Sequence, residues 1–350
     1  RVEAYGLWNF VLDFNKLQGT LSTHAETHPF GPELLYVFLI KLVGRDPLRV
    51  AYAIMALAAL AFVPVFLIAK RLFGSRWAGL AAGLLYLFSP VQLLLSGGGI
   101  DCLVTMMLAW ILYFLQRSLE EDGPGLKKRI NWAGRAGRFL FLTMLLTPGV
   151  MLPLLFCGLW VGWLALKRAT GLKDWFTRIG ITGGIFLAST LLMHLLLWAA
   201  TGGRFVYLRV TNSGLGIQKS MPSVRPYATW VWLDAFLICA FCGLPLLAIL
   251  LIRAARAAKN LDGRDGLLVS GLLFLGLVVF MSLGAAEAQR MFQYSILIFV
   301  LCSVPFVLGP RAAEEDAPVT EALNLPLLFL ASALLFANTV VLASTILDFW

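Results

Sequence analysis

The sequence predicts an all-α, polytopic transmembrane helical bundle, and composition and segment length both support this prediction. Of the 350 residues, 60% are apolar and only 13% are charged, and the mean hydropathy is +0.84. Soluble domains average about 45–50% apolar and about 25% charged residues, so this apolar excess has to face lipid. The apolar segments have the length of helices that cross a bilayer core of about 30 Å, and helices satisfy their own backbone hydrogen bonds there.

The chain divides into an outer segment with short interfacial helices, 1–49, and a transmembrane bundle, 50–350. In the outer segment, the apolar run 32–43 is too short for a span and is typical of an interfacial or re-entrant helix. About eight spans are predicted in the bundle, at 50–70, 77–97, 102–117, 179–200, 229–252, 266–284, 291–309 and 324–347. Because residue 1 is arginine and the chain stops at the end of a span, we expect a fragment of a longer protein.

A further apolar stretch, 139–166, is interrupted at Thr147-Pro148-Gly149 and is either one kinked helix or a broken hairpin. If it is a hairpin and residue 1 is outside, 18 of the 28 lysines and arginines fall in cytoplasmic loops, against an even split for a single crossing. The positive-inside rule therefore favours the hairpin. The sequence predicts a multi-pass protein of a bacterial or archaeal plasma membrane, with residue 1 on the non-cytoplasmic side.

The basic residues and the cysteines both fit this membrane interpretation. The net charge of +9 lies in loops between spans, so no nucleic-acid partner is predicted. The five cysteines lie in apolar runs and are expected to be small buried hydrophobic residues.

Two acids, Glu3 and Asp101, lie in predicted non-cytoplasmic regions. A carboxylate beside the bilayer can act as a general base, although Glu3 can equally be a terminal surface acid. Asp101 follows the run Gly97-Gly98-Gly99 and begins a span, where a carboxylate favours the helix dipole. Capping is the simpler interpretation of Asp101, and an acid at the edge of the hydrocarbon is also a functional hypothesis.

His24 and His28 lie four residues apart with Glu26 between them, and on a helix they share a face. The pattern is not the H-E-x-x-H zinc motif, so a metalloprotease is excluded. A divalent metal ion is the one cofactor that these residues suggest, and a polar lip above the membrane is the alternative.

Basic side chains on the same predicted face suit an anionic ligand. Arg290 is the only basic residue in the short outer turn 285–290 between two apolar spans, and Lys219 and Arg225 lie in the polar loop 201–228. A guanidinium fork suits a phosphate, whereas snorkelling to lipid head groups is the alternative.

The order of several short motifs resembles that of GT-C-type membrane glycosyltransferases, the superfamily that includes dolichyl-phosphate-mannose mannosyltransferases and aminoarabinose transferases. Each motif has a counterpart in that family: Val2-Glu3-Ala4-Tyr5 resembles Asp-Glu-Ala-Tyr, His28-Pro29-Phe30-Gly31-Pro32 resembles His-Gly-Pro-Phe, Leu146-Thr147-Pro148-Gly149 resembles Leu-Thr-Lys-Gly, and Arg290 with Tyr294 resembles a late Arg-Tyr element. The resemblance covers about 1–165 by motif and the remainder by layout. The sequence departs from these family motifs at two positions, where Val2 replaces the first acid of Asp-Glu-Ala-Tyr and Pro148 replaces the lysine of Leu-Thr-Lys-Gly.

This resemblance implies a GT-C-like fold and an inverting hexosyl or pentosyl transfer from a polyprenyl-phosphate sugar. The acceptor would be a protein, a lipid or a glycan on the non-cytoplasmic face. Glu3 would deprotonate the acceptor hydroxyl, and Asp101 would position the acceptor or a metal ion. The substrate phosphate would be held by Arg290, Lys219, Arg225 and Tyr294, and His24 or His28 would bind a metal ion or the donor phosphate.

Two other functions fit the same layout. One is a non-catalytic membrane subunit of a larger complex on a GT-C-like scaffold, which the loss of one acid at Val2 would suit. The other is a transporter or flippase for a lipid-linked sugar, for which Asp234 and His194 are the main charged or titratable residues inside spans. Membrane lipids and membrane partner subunits are the further partners that these functions predict.

Overall fold

The computed structural model describes residues 2–21, 23–26, 28–96, 99–120, 126–147, 150, 153–207, 209–210, 227–259, 266–281, 293–314 and 318–349. Within these ranges the regular structure is helical, with one isolated antiparallel bridge between Leu308 and Leu323. The predicted all-α fold class is therefore confirmed.

Five short helices precede the bundle: α1 (Val2–Tyr5), α2 (Leu7–Leu12), α3 (Phe14–Leu17), α4 (Thr23–Glu26) and α5 (Gly31–Val43). Glycines with positive φ separate some of them, since Gly6 (φ 73°) lies between α1 and α2 and Gly44 (φ 92°) ends α5. At 13 residues α5 reaches about 20 Å, which is too short to cross a bilayer core.

The remaining helices form the bundle. They are α6 (Pro47–Ala59), α7 (Phe62–Phe73), α8 (Arg76–Leu87), α9 (Pro90–Leu95), α10 (Asp101–Glu120), α11 (Leu126–Leu146), α12 (Pro153–Arg168), α13 (Leu172–Ala200), α14 (Tyr227–Cys242), α15 (Leu244–Lys259), α16 (Gly266–Met281), α17 (Ile296–Val307), α18 (Val319–Ala322) and α19 (Leu325–Phe349), with a 3-10 turn, Gln293–Ser295, before α17.

Four helical segments in the described part of the chain are long and apolar enough to cross a membrane: Pro47–Phe73, Asp101–Glu120, Leu172–Ala200 and Leu325–Ser344. The bent pair Val231–Cys242 and Leu244–Arg256 makes a fifth if it counts as one span, and Gly266–Leu277 and Gln293–Val307 are apolar but shorter. An integral multi-pass membrane protein is thereby supported.

The predicted span 229–252 differs from a straight helix, because α14 and α15 meet at an angle of 105°. Gly243 has a φ of 108°, and Pro245 follows two residues later without a backbone N–H. The side-chain amide of Asn338 donates a hydrogen bond of 3.0 Å to the carbonyl of Ala240. A neighbouring helix thus satisfies a backbone group beside the break, as an apolar environment requires.

Helix α10 is the central helix of the bundle. It packs against α6, α7, α11, α12 and α13, and most of its side chains are buried. We name the two ends of the bundle after its terminal residues, the Asp101 end and the Glu120 end. Arg71 and Arg168, at the last turns of α7 and α12, both reach Glu120, so these helices end at the Glu120 end.

The stretch 139–166 comprises the last part of α11 and most of α12, which are separate helices of 21 and 16 residues. Arg117 of α10 lies 5.1 Å above the ring of Trp132 in the first half of α11, so α11 begins near the Glu120 end. Because α12 returns to Glu120, the chain crosses to the Asp101 end and back between residues 126 and 168. The side of the membrane that each end faces stays a prediction.

Helices α11 and α13 pack closely through small residues. Ser189 donates a hydrogen bond of 2.9 Å to the carbonyl of Gly134, and Thr190 donates one of 3.0 Å to that of Gly137. A Cβ at Gly137 would lie 2.8 Å from the Cβ of Ser189. Contacts of this kind let helix backbones approach within a membrane, where burial of apolar surface drives association little.

We expect Gly137→Ala to lower the thermal unfolding midpoint, because the added methyl group forces α11 and α13 apart at a cost of about 1–3 kcal/mol. The matched control is Gly158→Ala in α12, where no atom lies within 4 Å of the new Cβ. Scanning fluorimetry of the purified variants measures both effects. Equal midpoints for the two variants would contradict the proposed close contact.

Candidate active site

The beginning of α5 lies against the end of α11. A Cβ at Gly31 would lie 2.7 Å from the carbonyl carbon of Leu145 and closer still to its oxygen, so only glycine permits this approach. The contact brings together two motifs that are far apart in the sequence, the segment His28–Pro32 and the segment that begins at Leu146. Both motifs contribute to the resemblance found in the sequence, and folding makes them neighbours.

Asp101 occupies the first turn of α10, where its carboxylate is half-buried and lies near the helix N-terminus. Its Oδ2 lies 3.8 Å from the position that a Cβ on Gly99 would take. The thiol of the next residue, Cys102, donates to the carbonyl oxygens of Gly99 and Ser96 at 3.1 and 3.4 Å. These hydrogen bonds join the start of α10 to Ser96 and Gly99.

Tyr36 of α5 lies close enough to Asp101 for the two side chains to interact electrostatically. Burial raises the pKa of the Tyr36 phenol, and the ionisable groups of Cys102, Asp101 and Glu33 raise it further. The electrostatic effect of Asp101 on Tyr36 indicates that the two side chains share one neighbourhood. Since Tyr36 keeps 36% of its surface exposed, the neighbourhood is accessible from outside the protein.

Glu33, in the first turn of α5, is the second acid of this neighbourhood. Its Oε2 atom is buried and makes no hydrogen bond to the described residues. Burial raises the pKa of Glu33 to about 7. A hydrogen bond from its own backbone N–H lowers the pKa, but by a smaller amount. A carboxyl group with this pKa can exchange a proton at neutral pH, as general acid–base catalysis requires.

An aromatic cluster attaches the N-terminal helices to this end of the bundle. It consists of Phe10, Phe14, Phe30 and Phe205, whose ring centroids are 4.9–6.2 Å apart in mostly edge-to-face pairs. Asn15 adds two hydrogen bonds to the backbone of Val206, one as acceptor at 2.6 Å and one as donor at 3.4 Å. The cluster thereby covers the Asp101 end with the segment that carries Glu3.

The predicted acids are carried by elements that converge at this end. Helix α1, which contains Glu3, packs against α5, and the side chain of Glu3 is not among those that the structure describes. Val2, which replaces the first acid of the family motif, is buried in the aromatic cluster with 7% of its surface exposed. The hydrophobic residue at position 2 is therefore explained by packing.

Of the predicted phosphate-binding residues, the structure describes only Tyr294. Lys219, Arg225 and Arg290 lie outside the described residues. Tyr294 lies in the 3-10 turn before α17 and is buried, with its ring 6.0 Å from that of Phe274. Its proposed contact with a substrate phosphate stays a prediction.

The metal hypothesis also stays a prediction. His28 is half-buried beside the buried residues Pro29 and Phe30, while the side chain of His24 is not described. Among the described side chains, no group of three histidine, cysteine or acidic residues is arranged to hold a metal ion.

Glu33 and Tyr36 were not predicted from the sequence as site residues. Glu33 follows the His28–Pro32 motif directly, and Tyr36 lies three residues further on. The signal that would have identified Glu33 is an acid next to a proline at the start of an apolar helix. Their proximity to Asp101 depends on how α5 packs on the bundle, which no local pattern shows.

A family model described as dolichyl-phosphate-mannose-protein mannosyltransferase matches residues 27–194. This stretch contains His28, Glu33, Tyr36 and Asp101 and ends in α13, whereas Glu3 precedes it. The resemblance to a GT-C-type membrane glycosyltransferase, predicted from the motifs, is confirmed by this match. Comparison with curated proteins gave no match, and comparison with solved structures gave none either.

We expect Glu33 to titrate near neutral pH in the folded protein. An isolated glutamate releases its proton near pH 4.5, but folded Glu33 keeps its proton up to about pH 7. The contribution of protonated Glu33 to the free energy of unfolding is therefore fully present below pH 4.5. This contribution is lost as the pH rises through about 7.

Infrared titration of the purified protein would show a protonated-carboxyl band that disappears near pH 7. Glu33→Gln should remove this band and Glu26→Gln, in the same N-terminal segment, should retain it. A band that survives in Glu33→Gln would show that another acid is responsible.

Proposed function

We propose that this protein is a membrane glycosyltransferase that moves a sugar from a polyprenyl-phosphate donor to a hydroxyl acceptor on the non-cytoplasmic face. The observation that carries the proposal is the convergence of Asp101, Glu33 and Tyr36 at one end of the bundle, within the part of the chain that matches the glycosyltransferase family. The donor, the acceptor and the membrane face are part of the proposal.

In the proposed reaction, a carboxylate takes the proton of the acceptor hydroxyl as the oxygen attacks the anomeric carbon of the sugar. The new C–O bond forms while the bond between that carbon and the phosphate oxygen breaks, and the phosphate leaves with the electron pair. Attack opposite to the leaving group inverts the anomeric configuration. Proton removal by a positioned side chain contributes typically about 10²–10⁴-fold to such a step.

Glu3 and Glu33 are the two candidates for the base. The helices that carry them, α1 and α5, are in contact, so both acids belong to the same end of the bundle. Glu33 is supported by its raised pKa and its buried carboxylate oxygen, and Glu3 is supported by the family motif. Asp101 is proposed to orient the acceptor, with Tyr36 beside it. The leaving phosphate would be neutralised by Arg290, Lys219 and Arg225 with Tyr294, since fixed positive charge stabilises the charge that develops there.

We expect Asp101→Asn and either Glu33→Gln or Glu3→Gln to reduce sugar transfer by about 10²-fold or more. The assay measures transfer from radiolabelled polyprenyl-phosphate sugars to endogenous acceptors in membranes that contain the full-length protein. The matched controls are Glu314→Gln and Asp46→Asn, both exposed, and asparagine at position 46 can still cap α6. These controls should keep wild-type activity.

Unchanged transfer in all three acid variants would contradict a catalytic role for this site. If the folded wild-type protein transferred no sugar from any donor, a partner-binding subunit or a lipid transporter would replace the proposal. The buried Asp234 in α14 would then become the first residue to test for transport.

We also expect Gly31→Ala to lower transfer without removing any reactive group, because the methyl group would push the start of α5 away from Leu145 and displace Glu33 and Tyr36. Gly19→Ala is the control, since no atom lies within 4 Å of its new Cβ. The same membrane assay measures both variants. Wild-type activity in Gly31→Ala would show that the position of α5 is not needed for transfer.

A further inference from the structure

A second polar cluster lies at the opposite end of the bundle, where one carboxylate meets three guanidinium groups. The Nη1 atom of Arg71 lies 2.6 Å from Oε2 of Glu120, and that of Arg117 lies 3.5 Å from the same oxygen. The Nη2 atom of Arg168 lies 3.6 Å from Oε1. These four residues, contributed by α7, α10 and α12, form the Glu120 cluster.

The Glu120 cluster carries more positive than negative charge. The side chain of Glu120 is only 12% exposed, and those of the three arginines are 19–35% exposed, so water screens the charges incompletely. The next described acid along the chain, Asp174, is bonded to Arg178 and to the backbone N–H of Thr170. Partly buried cations of this kind favour a bound counter-ion.

Basic residues outnumber acidic residues at the Glu120 end even when the acids outside the described residues are counted. Glu121 and Asp122 follow Glu120 directly and lie outside the described residues. Against these acids, the helix ends and connections here carry the following basic residues: Lys70, Arg71, Arg76, Arg117, Lys127, Lys128, Arg129, Arg135, Lys167, Arg168, Lys173 and Arg178.

Arg168 has capacity for a further acceptor. Its Nη1 atom is buried and makes no hydrogen bond to the described residues, while its Nη2 faces Glu120. A guanidinium group offers its N–H donors in a planar fork that matches two oxygens of a phosphate. An anionic ligand that reaches the end of α12 would suit this fork.

Tryptophan rings lie against basic side chains around the cluster. Trp132 lies between Arg117 and Arg135, whose guanidinium carbons are 5.1 and 4.5 Å from its ring centroid. Lys167 lies 4.7 Å from the ring centroid of Trp163. Tryptophan with basic side chains is typical of the membrane–water interface, where lipid phosphates are the most abundant anions.

We propose that the Glu120 cluster binds the phosphodiester head group of an anionic membrane lipid, with Arg168 as its principal contact. The lipid phosphate neutralises part of the excess charge, and its acyl chains lie along the apolar surface of the neighbouring helices. This site is at the other end of α10 from Asp101, and the proposal does not depend on the glycosyltransferase activity.

The test is native mass spectrometry of the full-length protein, released from micelles that contain equal amounts of phosphatidylglycerol and phosphatidylcholine. The wild-type protein should retain phosphatidylglycerol preferentially, and Arg168→Gln should reduce that retention by about fivefold. Arg168→Lys, which keeps the charge and loses the fork, should give an intermediate value. The control is Lys173→Gln, which removes an exposed charge at the same end and should retain the lipid as the wild type does.

Since Arg71 and Arg117 remain on Glu120, Arg168→Gln should fold, and its thermal unfolding midpoint checks this. Equal retention of both lipids by the wild-type protein would overturn the proposal. Equal losses in Arg168→Gln and Lys173→Gln would also overturn it, because they would indicate general attraction to a charged surface. If inorganic phosphate displaced the lipid and stabilised the protein equally well, the site would bind a free anion and the lipid assignment would be wrong.

Discussion

Burial of α10 through the centre of the bundle is the constraint on which the rest of the structure depends. Its 20 residues span about 30 Å, and its side chains are apolar along most of this length but acidic at both ends. Packing on all sides leaves Asp101 and Glu120 where the apolar layer ends, and each acid gathers polar partners from other helices. The candidate active site and the proposed lipid site are therefore two consequences of one buried helix with polar ends.

Assembly at the Asp101 end depends on shape more than on charge. The aromatic cluster holds the N-terminal helices against the bundle, and Gly31 lets α5 approach the backbone of α11. Together these contacts shield Glu33 partly from water and bring Tyr36 into the neighbourhood of Asp101. An acid that is desolvated in this way keeps its proton to higher pH, so packing gives Glu33 a chemical property that its residue type lacks. The same packing explains Val2, whose burial in the cluster leaves Glu3 as the remaining acid of the motif.

The helices accept breaks and close contacts where other helices compensate for them. The bend at Gly243 separates α14 from α15, and Asn338 of α19 bonds to the carbonyl of Ala240 beside it. Small residues let α11 lie against α13, where Ser189 and Thr190 bond to backbone carbonyls across the interface. In an apolar environment, backbone groups and hydroxyls need partners within the protein, so these contacts specify which helices are neighbours.

The sequence by itself determined the helical membrane fold and the similarity to glycosyltransferases, because composition, apolar length and motif order are properties of contiguous residues. It also proposed Asp101 as a site residue, which stays a prediction. It also predicted an interruption within 139–166, and the structure has separate helices, α11 and α12, on the two sides of it. The tertiary structure alone decided that Glu33 and Tyr36 lie with Asp101 and that three arginines from separate helices share Glu120. Each of these depends on contacts between residues far apart in the chain, and the energy of such contacts comes from packing and desolvation that no local pattern records.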